Sequence, residues 1–253
     1  MSKPRILVTN DDGIISPGIK TLINIVENMG EVLVVAPDKP QSGQGHAITL
    51  EQPLRLRKVN LFGEISAYEC SGTPVDCVKL GKNIIWKDRK IDLCVSGINH
   101  GSNASVNILY SGTMSAAMEA SLEGIDSIGF SFLDFSFEAD FSHSIPYIEK
   151  IIQNILEKKL QKSQLLNINI PRGEIKGIKV CRQAKGTWVE EFVESKDPRG
   201  EPYYWMTGKF NYTDPANDND LKALEKGYIS IVPSHHDLTH YDSIPTLTYL
   251  ENL

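Results

Sequence analysis

The sequence predicts an α/β protein with a mostly parallel sheet covered by helices on both faces. Three observations carry this. Short runs that are apolar throughout (ILVT at 6–9, VLVVA at 32–36, IDLCVS at 91–96) fit strands buried on both faces. Stretches with helical spacing separate them, as parallel crossovers require. After Pro171 the pattern changes to short strands with turn residues between them.

The first strand, 6–9, ends in Asn10-Asp11-Asp12-Gly13. A helix is expected over 17–28, with Pro17 in its first turn and Gly30 just past its end. Strand 32–36 is closed by Pro37, and strand 91–96 by Gly97. A helix over 111–123 stops at Gly124, and 127–132 is a further strand. Ile145, Ile148, Ile151, Ile152 and Ile155 give a helix over 145–159 one apolar face. The run LLNINI at 165–170 alternates as a strand does and stops at Pro171. Beyond it, strands are expected over 178–183, 189–194, 203–212 and 228–232. They should form hairpins around the Pro198-Arg199-Gly200 turn, with a polar loop over 214–220. A single domain over residues 1–253 follows, with an α/β core at 1–172 and an extension at 173–253.

Hydrophobic residues make up 41% and charged residues 23% of the chain, the balance of a globular protein. The net charge of −6 and pI near 5.6 argue against a nucleic-acid grip. Arg55, Arg57 and Lys58 are too few for a basic patch and alternate with apolar residues as in a strand. No segment approaches the ~20 apolar residues that span a bilayer, and the N-terminus lacks the apolar stretch of a signal peptide. A cytoplasmic protein without membrane or nucleic-acid partners is expected. Cys70, Cys77, Cys94 and Cys181 form no C-x-x-C pair, and Cys94 sits in an apolar run as a buried structural thiol.

In parallel sheets, ligands bind beyond the carboxyl ends of the strands. Three polar loops follow strands here and should converge on one rim. Asp11 and Asp12 form the strongest signal: adjacent acids repel unless a cation lies between them, and oxygen ligands suit Mg²⁺ or Mn²⁺. The alternative is an Asp-Asp-Gly turn with Asp12 as a cap. Gln41-Ser42-Gly43-Gln44-Gly45-His46 offers Ser42 to a metal or phosphate, Gly43 for close backbone approach, and His46 as a phosphate donor. In Ser96–Asn103, Asn99 and Asn103 bring amide oxygens for a cation or NH₂ groups for a phosphate. Ser111-Gly112-Thr113 opens a helix, where free N–H groups and the dipole favour an anion; ordinary N-capping is compatible with that role. Neither G-x-x-x-x-G-K-[ST] nor G-x-S-x-G occurs, which argues against a P-loop NTPase and an α/β-hydrolase.

The run VTNDDGIISPGI, the loop APDKPQSGQGHAIT, SGINHGSN and YSGTMSAAMEA closely resemble the SurE family of stationary-phase survival 5′-nucleotidases. LLNINIP, Thr213-Asp214 and GYISIVPSHHDLT also resemble it, so the likeness runs through nearly the whole chain in order. The resemblance implies a Rossmann-like core and a metal-dependent phosphatase for nucleoside 5′-monophosphates, with 3′ esters and short polyphosphate as further substrates. It implies one Mg²⁺ or Mn²⁺ per subunit on Asp11, Asp12, Ser42 and Asn99, with Asp11 and Asp12 catalytic. Phosphate contacts fall on Ser111, Gly112 and Thr113, with Asn10 and Asn103 nearby. Assembly into a homodimer or homotetramer through the C-terminal hairpin is implied as well. The loop Pro-Gln-Ser-Gly-Gln-Gly-His departs from the Arg-Ser-Gly-x-Ser of many members, and this bears on substrate preference. Two alternatives remain at this point: a non-hydrolytic nucleotide sensor, and a phosphatase for another small ester. Attack by water or through an aspartyl-phosphate on Asp11 also stays open.

Overall fold

The structure, a computed structural model, describes residues 3–158 and 165–252. The strands are β1 (Arg5–Thr9), β2 (Glu31–Pro37), β3 (Leu56–Val59), β4 (Ser66–Cys70), β5 (Leu93–His100), β6 (Ser127–Phe132), β7 (Leu165–Ile170), β8 (Gly177–Val180), β9 (Gly186–Val189), β10 (Phe192–Lys196), β11 (Pro202–Met206), β12 (Lys209–Tyr212) and β13 (Tyr228–Ser234). The helices are α1 (Pro17–Val26), α2 (Pro74–Leu80), α3 (Gly112–Leu122), α4 (Ile145–Lys158), α5 (Asp220–Glu225) and α6 (Ile244–Leu247).

Nine strands form one sheet in the order β3-β4-β2-β1-β5-β6-β7-β13-β8. The pairs from β4 to β7 are all parallel; β3 and β13 run antiparallel to β4 and β7. Alternate side chains of β1 and β2 separate two cores. Ile6, Val8, Val34 and Ala36 pack with Ile19, Leu22 and Val26 of α1 and with Ile148 and Ile152 of α4. Leu7, Leu33 and Val35 pack with Cys77 and Val78 of α2 and with Ala116 and Ala120 of α3. Helices therefore cover both faces, as strands that are apolar throughout require.

From β1 the chain winds outward through β2 to β4, then returns to the other side of β1 for β5. The connection from β1 through α1 and that from β5 through α3 diverge onto opposite faces, which opens a crevice between the carboxyl ends of β1 and β5. Asp11 and Asp12 follow one strand, and Asn99 and His100 end the other.

Elements differ from expectation where local context decides. The strand-like alternation around Arg57 and Lys58 is β3, while β4 and α2 lay hidden in weak patterns, although Thr73-Pro74-x-Asp76 forms a capping box in which Asp76 Oδ2 accepts from Thr73 N–H at 2.9 Å. The helix from Pro17 stops at Val26. Gly30 serves close approach instead of the helix end, since a Cβ there would meet Pro4 O at 2.3 Å. The expected end of α4 at Lys159 lies outside the described residues. The expected strand 189–194 is two strands, broken where Glu190 turns with φ +54, and 203–212 is broken at Gly208 with φ +130. β9 pairs with β12 and β10 with β11, giving one interrupted two-stranded arm. The region beyond Pro171 is not all hairpins: β8 and β13 are parallel neighbours, with α5 between them in sequence. Asp220, expected in a loop, begins α5, which Asn219 caps by accepting from Lys222 N–H at 2.9 Å.

Candidate active site

Asp11 and Asp12 sit where the turn after β1 meets β5 and the start of α3. Asp11 is buried, and its Oδ1 accepts the Thr113 hydroxyl. The Thr113 backbone N–H also lowers its pKa, so the anion resting on the N-terminus of α3 is this carboxylate. Burial and the neighbouring Asp12 charge nevertheless push the Asp11 carboxyl up to about 6 from its ordinary 3.8. Asp12 Oδ2 accepts from the His100 backbone N–H at 3.4 Å. Burial pushes the Asp12 carboxyl up as well, opposed by His100. Among the described residues no Lys or Arg pairs with either acid.

The loop of Ser42 is anchored at both ends of this crevice. Gln41 N–H donates to Asp11 O at 2.8 Å, and Gly45 N–H donates to Tyr110 O at 3.2 Å. Ser42 and Gly43 are exposed between these anchors, and Gly43 has φ +71 in open space. His46 departs from its expected phosphate role. Its Nε2 lies 3.0 Å from Glu119 Oε2, a buried carboxylate that also holds Lys79 Nζ at 2.5 Å.

Asn99 donates its amide nitrogen to Gly101 O at 2.9 Å, so its oxygen is the atom it offers a cation. Around it β5 is irregular: register with β6 shifts between Ser96 and Asn99, and the Gly97–Ile98 peptide is cis. Asn10 donates to Gly13 O at 2.9 Å and Ser16 Oγ at 2.8 Å, while its buried Oδ1 has no partner. Both of its side-chain N–H groups are therefore taken, leaving none for a phosphate. Asn103 uses one amide N–H and both backbone groups within the fold. It donates to Ser131 Oγ at 2.8 Å, its N–H reaches Asn169 Oδ1 at 2.8 Å, and its carbonyl accepts from Asn167 at 2.9 Å. These bonds hold the β5–α3 connection in place.

At the start of α3, Ser111 Oγ caps the helix by accepting from Met114 N–H at 3.0 Å. The Thr113 hydroxyl hydrogen points at Asp11, so Thr113 orients the acid and has no hydroxyl proton for phosphate. Gly112 is dictated by space: a Cβ there would lie 2.7 Å from Asp11 Cβ and 2.9 Å from its Oδ2. Gly112 N–H, at the first helical position, has no partner within the helix.

Sequence reasoning missed Asp220, Asn167 and Asn169. Asp220 is fully buried and accepts from Ser105 N–H at 2.8 Å and Ala184 N–H at 2.9 Å, fixing the segment before α3. The available signal was two Asn in a strand whose neighbours are all apolar, since a buried amide needs partners. Among the described residues, no three His, Cys, Asp or Glu gather as a metal cluster. A cation here would depend on two carboxylates plus neutral oxygens. The residues fit a hard cation on two observations: an adjacent acid pair that no Lys or Arg neutralises among the described residues, and the unpartnered Asn10 Oδ1 beside it in sequence.

The fold and site together define an α/β protein with an acidic centre at the switch point of a parallel sheet. The sequence matches the family described as Survival protein SurE over residues 6–190, and the chain belongs to that family. It is 54% identical over 251 residues to "5′-nucleotidase SurE" of Flavobacterium psychrophilum, covering 98% of this chain and 97% of that one. It is 42% identical to the protein of the same name from Thermoanaerobacter sp., covering 96% of each. The crystal structure of the SurE protein from Aquifex aeolicus superposes with a TM-score of 0.85 at 39% identity, covering 98% of this chain and 100% of that one.

Proposed function

We propose that this protein is a divalent-metal-dependent phosphomonoesterase that hydrolyses nucleoside 5′-monophosphates, and 3′-monophosphates as well, to nucleoside and phosphate. The observation that carries the reading is the adjacent acid pair, Asp11 buried and Asp12 half-buried, with no Lys or Arg paired to either among the described residues. A structural role would favour a paired or protonated acid, whereas a cation site needs this uncompensated charge. The names of the relatives, at 42–54% identity over nearly full length, support the substrate class.

Asp11 and Asp12, completed by Ser42 and Asn99, are the residues that would hold Mg²⁺ or Mn²⁺, one per chain. Such a cation neutralises phosphoryl oxygens and lowers the pKa of water toward neutrality. The chain's own groups set up the rest. Thr113 holds Asp11 Oδ1, Gly112 keeps the space beside the carboxylate clear, and its N–H, at the first helical position, has no partner within the helix and can donate to an anion. The 42–45 loop is held beside the acid pair and the start of α3 by its two anchors.

The arm formed by β9 to β12 supports a homodimer or homotetramer. Phe192, Val193, Trp205 and Met206 are each more than half exposed on a two-stranded ribbon, which is marginal without cover. Light scattering on the purified chain tests the assembly. A phosphate-release panel over AMP, GMP, 3′-AMP, ribose 5-phosphate and polyphosphate, with Mg²⁺, Mn²⁺ or EDTA, tests the activity. Release from the nucleotides that stops in EDTA is expected. Tight AMP binding without release would instead favour a sensor module.

A further inference from the structure

The loop between β6 and α4 places two aromatic rings in solvent beside the crevice. Phe135 is 82% and Phe137 is 67% exposed. They are nonetheless held in place. Leu133 N–H donates to Ile170 O at 3.0 Å, Ser136 N–H to Asp134 Oδ1 at 2.9 Å, and Ala139 N–H to Ser136 O at 3.1 Å. Arg172 Nε lies 3.3 Å from Asp134 Oδ2. Most of their apolar surface is left in water and contributes nothing to the fold.

Both rings are tied to the end of β5 that borders the acid pair. The Phe137 ring stacks on His100 with centroids 6.2 Å apart and planes 11° from parallel. His100 is set by the Ser136 carbonyl 2.7 Å from its Nδ1, and by the edge-on ring of Phe141 at 5.3 Å. A Cβ on Gly101 would lie 2.4 Å from Phe135 Cε1, so that ring rests against the glycine. The backbone N–H of the same His100 donates to Asp12 at 3.4 Å. One residue thus links the carboxylates to the aromatic surface. A nucleoside monophosphate carries an anionic end, suited to a cation held by the acid pair, and a flat π-face one sugar away.

We propose that Phe137, assisted by Phe135, is the stacking platform for the nucleobase of the substrate, and so distinguishes nucleotides from other small phosphate esters. The proposal rests on the nucleotidase reading above. Stacking against an aromatic side chain is tolerant of base identity, because every base has a π-face. The platform therefore predicts selection for a base over none, with little preference among bases.

The test compares AMP and GMP with ribose 5-phosphate, which keeps the phosphate and sugar and lacks the base. Phe137→Ala, and the double variant with Phe135→Ala, should raise KM for AMP and GMP by about 5- to 100-fold with kcat nearly unchanged. Kinetics on ribose 5-phosphate should stay at the wild-type level, and Phe137→Trp should restore nucleotide KM. Unchanged nucleotide KM, or an equal loss on ribose 5-phosphate, would overturn the platform while leaving the nucleotidase reading intact. A change in oligomeric state with equal loss on all substrates would also overturn it, by assigning the rings to a subunit contact. Absence of phosphate release from AMP by the wild-type chain would remove the parent reading and this one together.

Discussion

Replacing Asp11 with Asn should stabilise the protein in the absence of divalent cations while removing most of its activity. Burial and the Asp12 charge raise the Asp11 carboxyl from 3.8 to about 6. At neutral pH the folded state therefore carries a charge it disfavours by about 2 pKa units, which corresponds to about 3 kcal/mol at most. The direction follows from proton binding. A raised carboxyl pKa means that the folded state holds its proton more tightly than the unfolded chain does. The contribution is thus most favourable below about pH 4 and is lost as pH rises toward about 6. Asn keeps an oxygen to accept from Thr113 and removes the repulsion with Asp12. Allowing for the cost of burying the amide, a net gain of about 2 kcal/mol is expected at pH 7.5, or about 4–8 °C in Tm for a chain of this size. Thermal unfolding in EDTA at pH 7.5 and pH 4 measures it. The gain should be present at pH 7.5 and nearly absent at pH 4, and Mn²⁺ should raise the Tm of the wild type only. Destabilisation of Asp11→Asn at pH 7.5, or an equal effect at both pH values, would refute the reasoning.

Thr113→Val removes the hydroxyl donor to the charged form of Asp11. The carboxyl should titrate higher, and Mn²⁺ binding measured by calorimetry should weaken about tenfold. Gly18→Ala would place a Cβ 2.0 Å from Ile98 O, between α1 and the irregular stretch of β5, and should cost about 3 kcal/mol in urea unfolding. Asp220→Ala would leave the N–H groups of Ser105, Ala184 and Leu221 without their acceptor. A loss of about 3 kcal/mol is expected by the same assay, with Asp220→Asn milder because it retains one acceptor oxygen.

The parallel half of the sheet was legible because burial on both faces leaves runs such as VLVVA with no polar residue to hide the signal. The strand-like alternation around Arg55, Arg57 and Lys58 is β3, whereas β4 was missed because it is only partly buried and SAYEC carries no alternation that separates strand from turn. The arm was read as longer strands because Glu190 gives no warning of a positive φ. At the site, the position of Asp11 and Asp12 followed from the strand before them, and the crevice followed from the convergence of loops on the carboxyl rim. The roles of Asn10, His46 and Thr113 did not follow. Each can contact phosphate in principle, but the partners of His46 and Thr113, Glu119 and Asp11, come from the tertiary fold, and Asn10 turns onto Gly13 and Ser16 through the local loop conformation. Asp220 escaped for the same reason, since Ser105 and Ala184 are 115 and 36 residues away.

Calorimetric titration of chelator-stripped protein with Mn²⁺ tests the role of the acid pair most directly. The wild-type chain should bind one ion, and Asp11→Asn with Asp12→Asn should bind none while retaining the folded spectrum. Binding of the same stoichiometry and affinity by the double variant would contradict the assignment of the cation to these carboxylates.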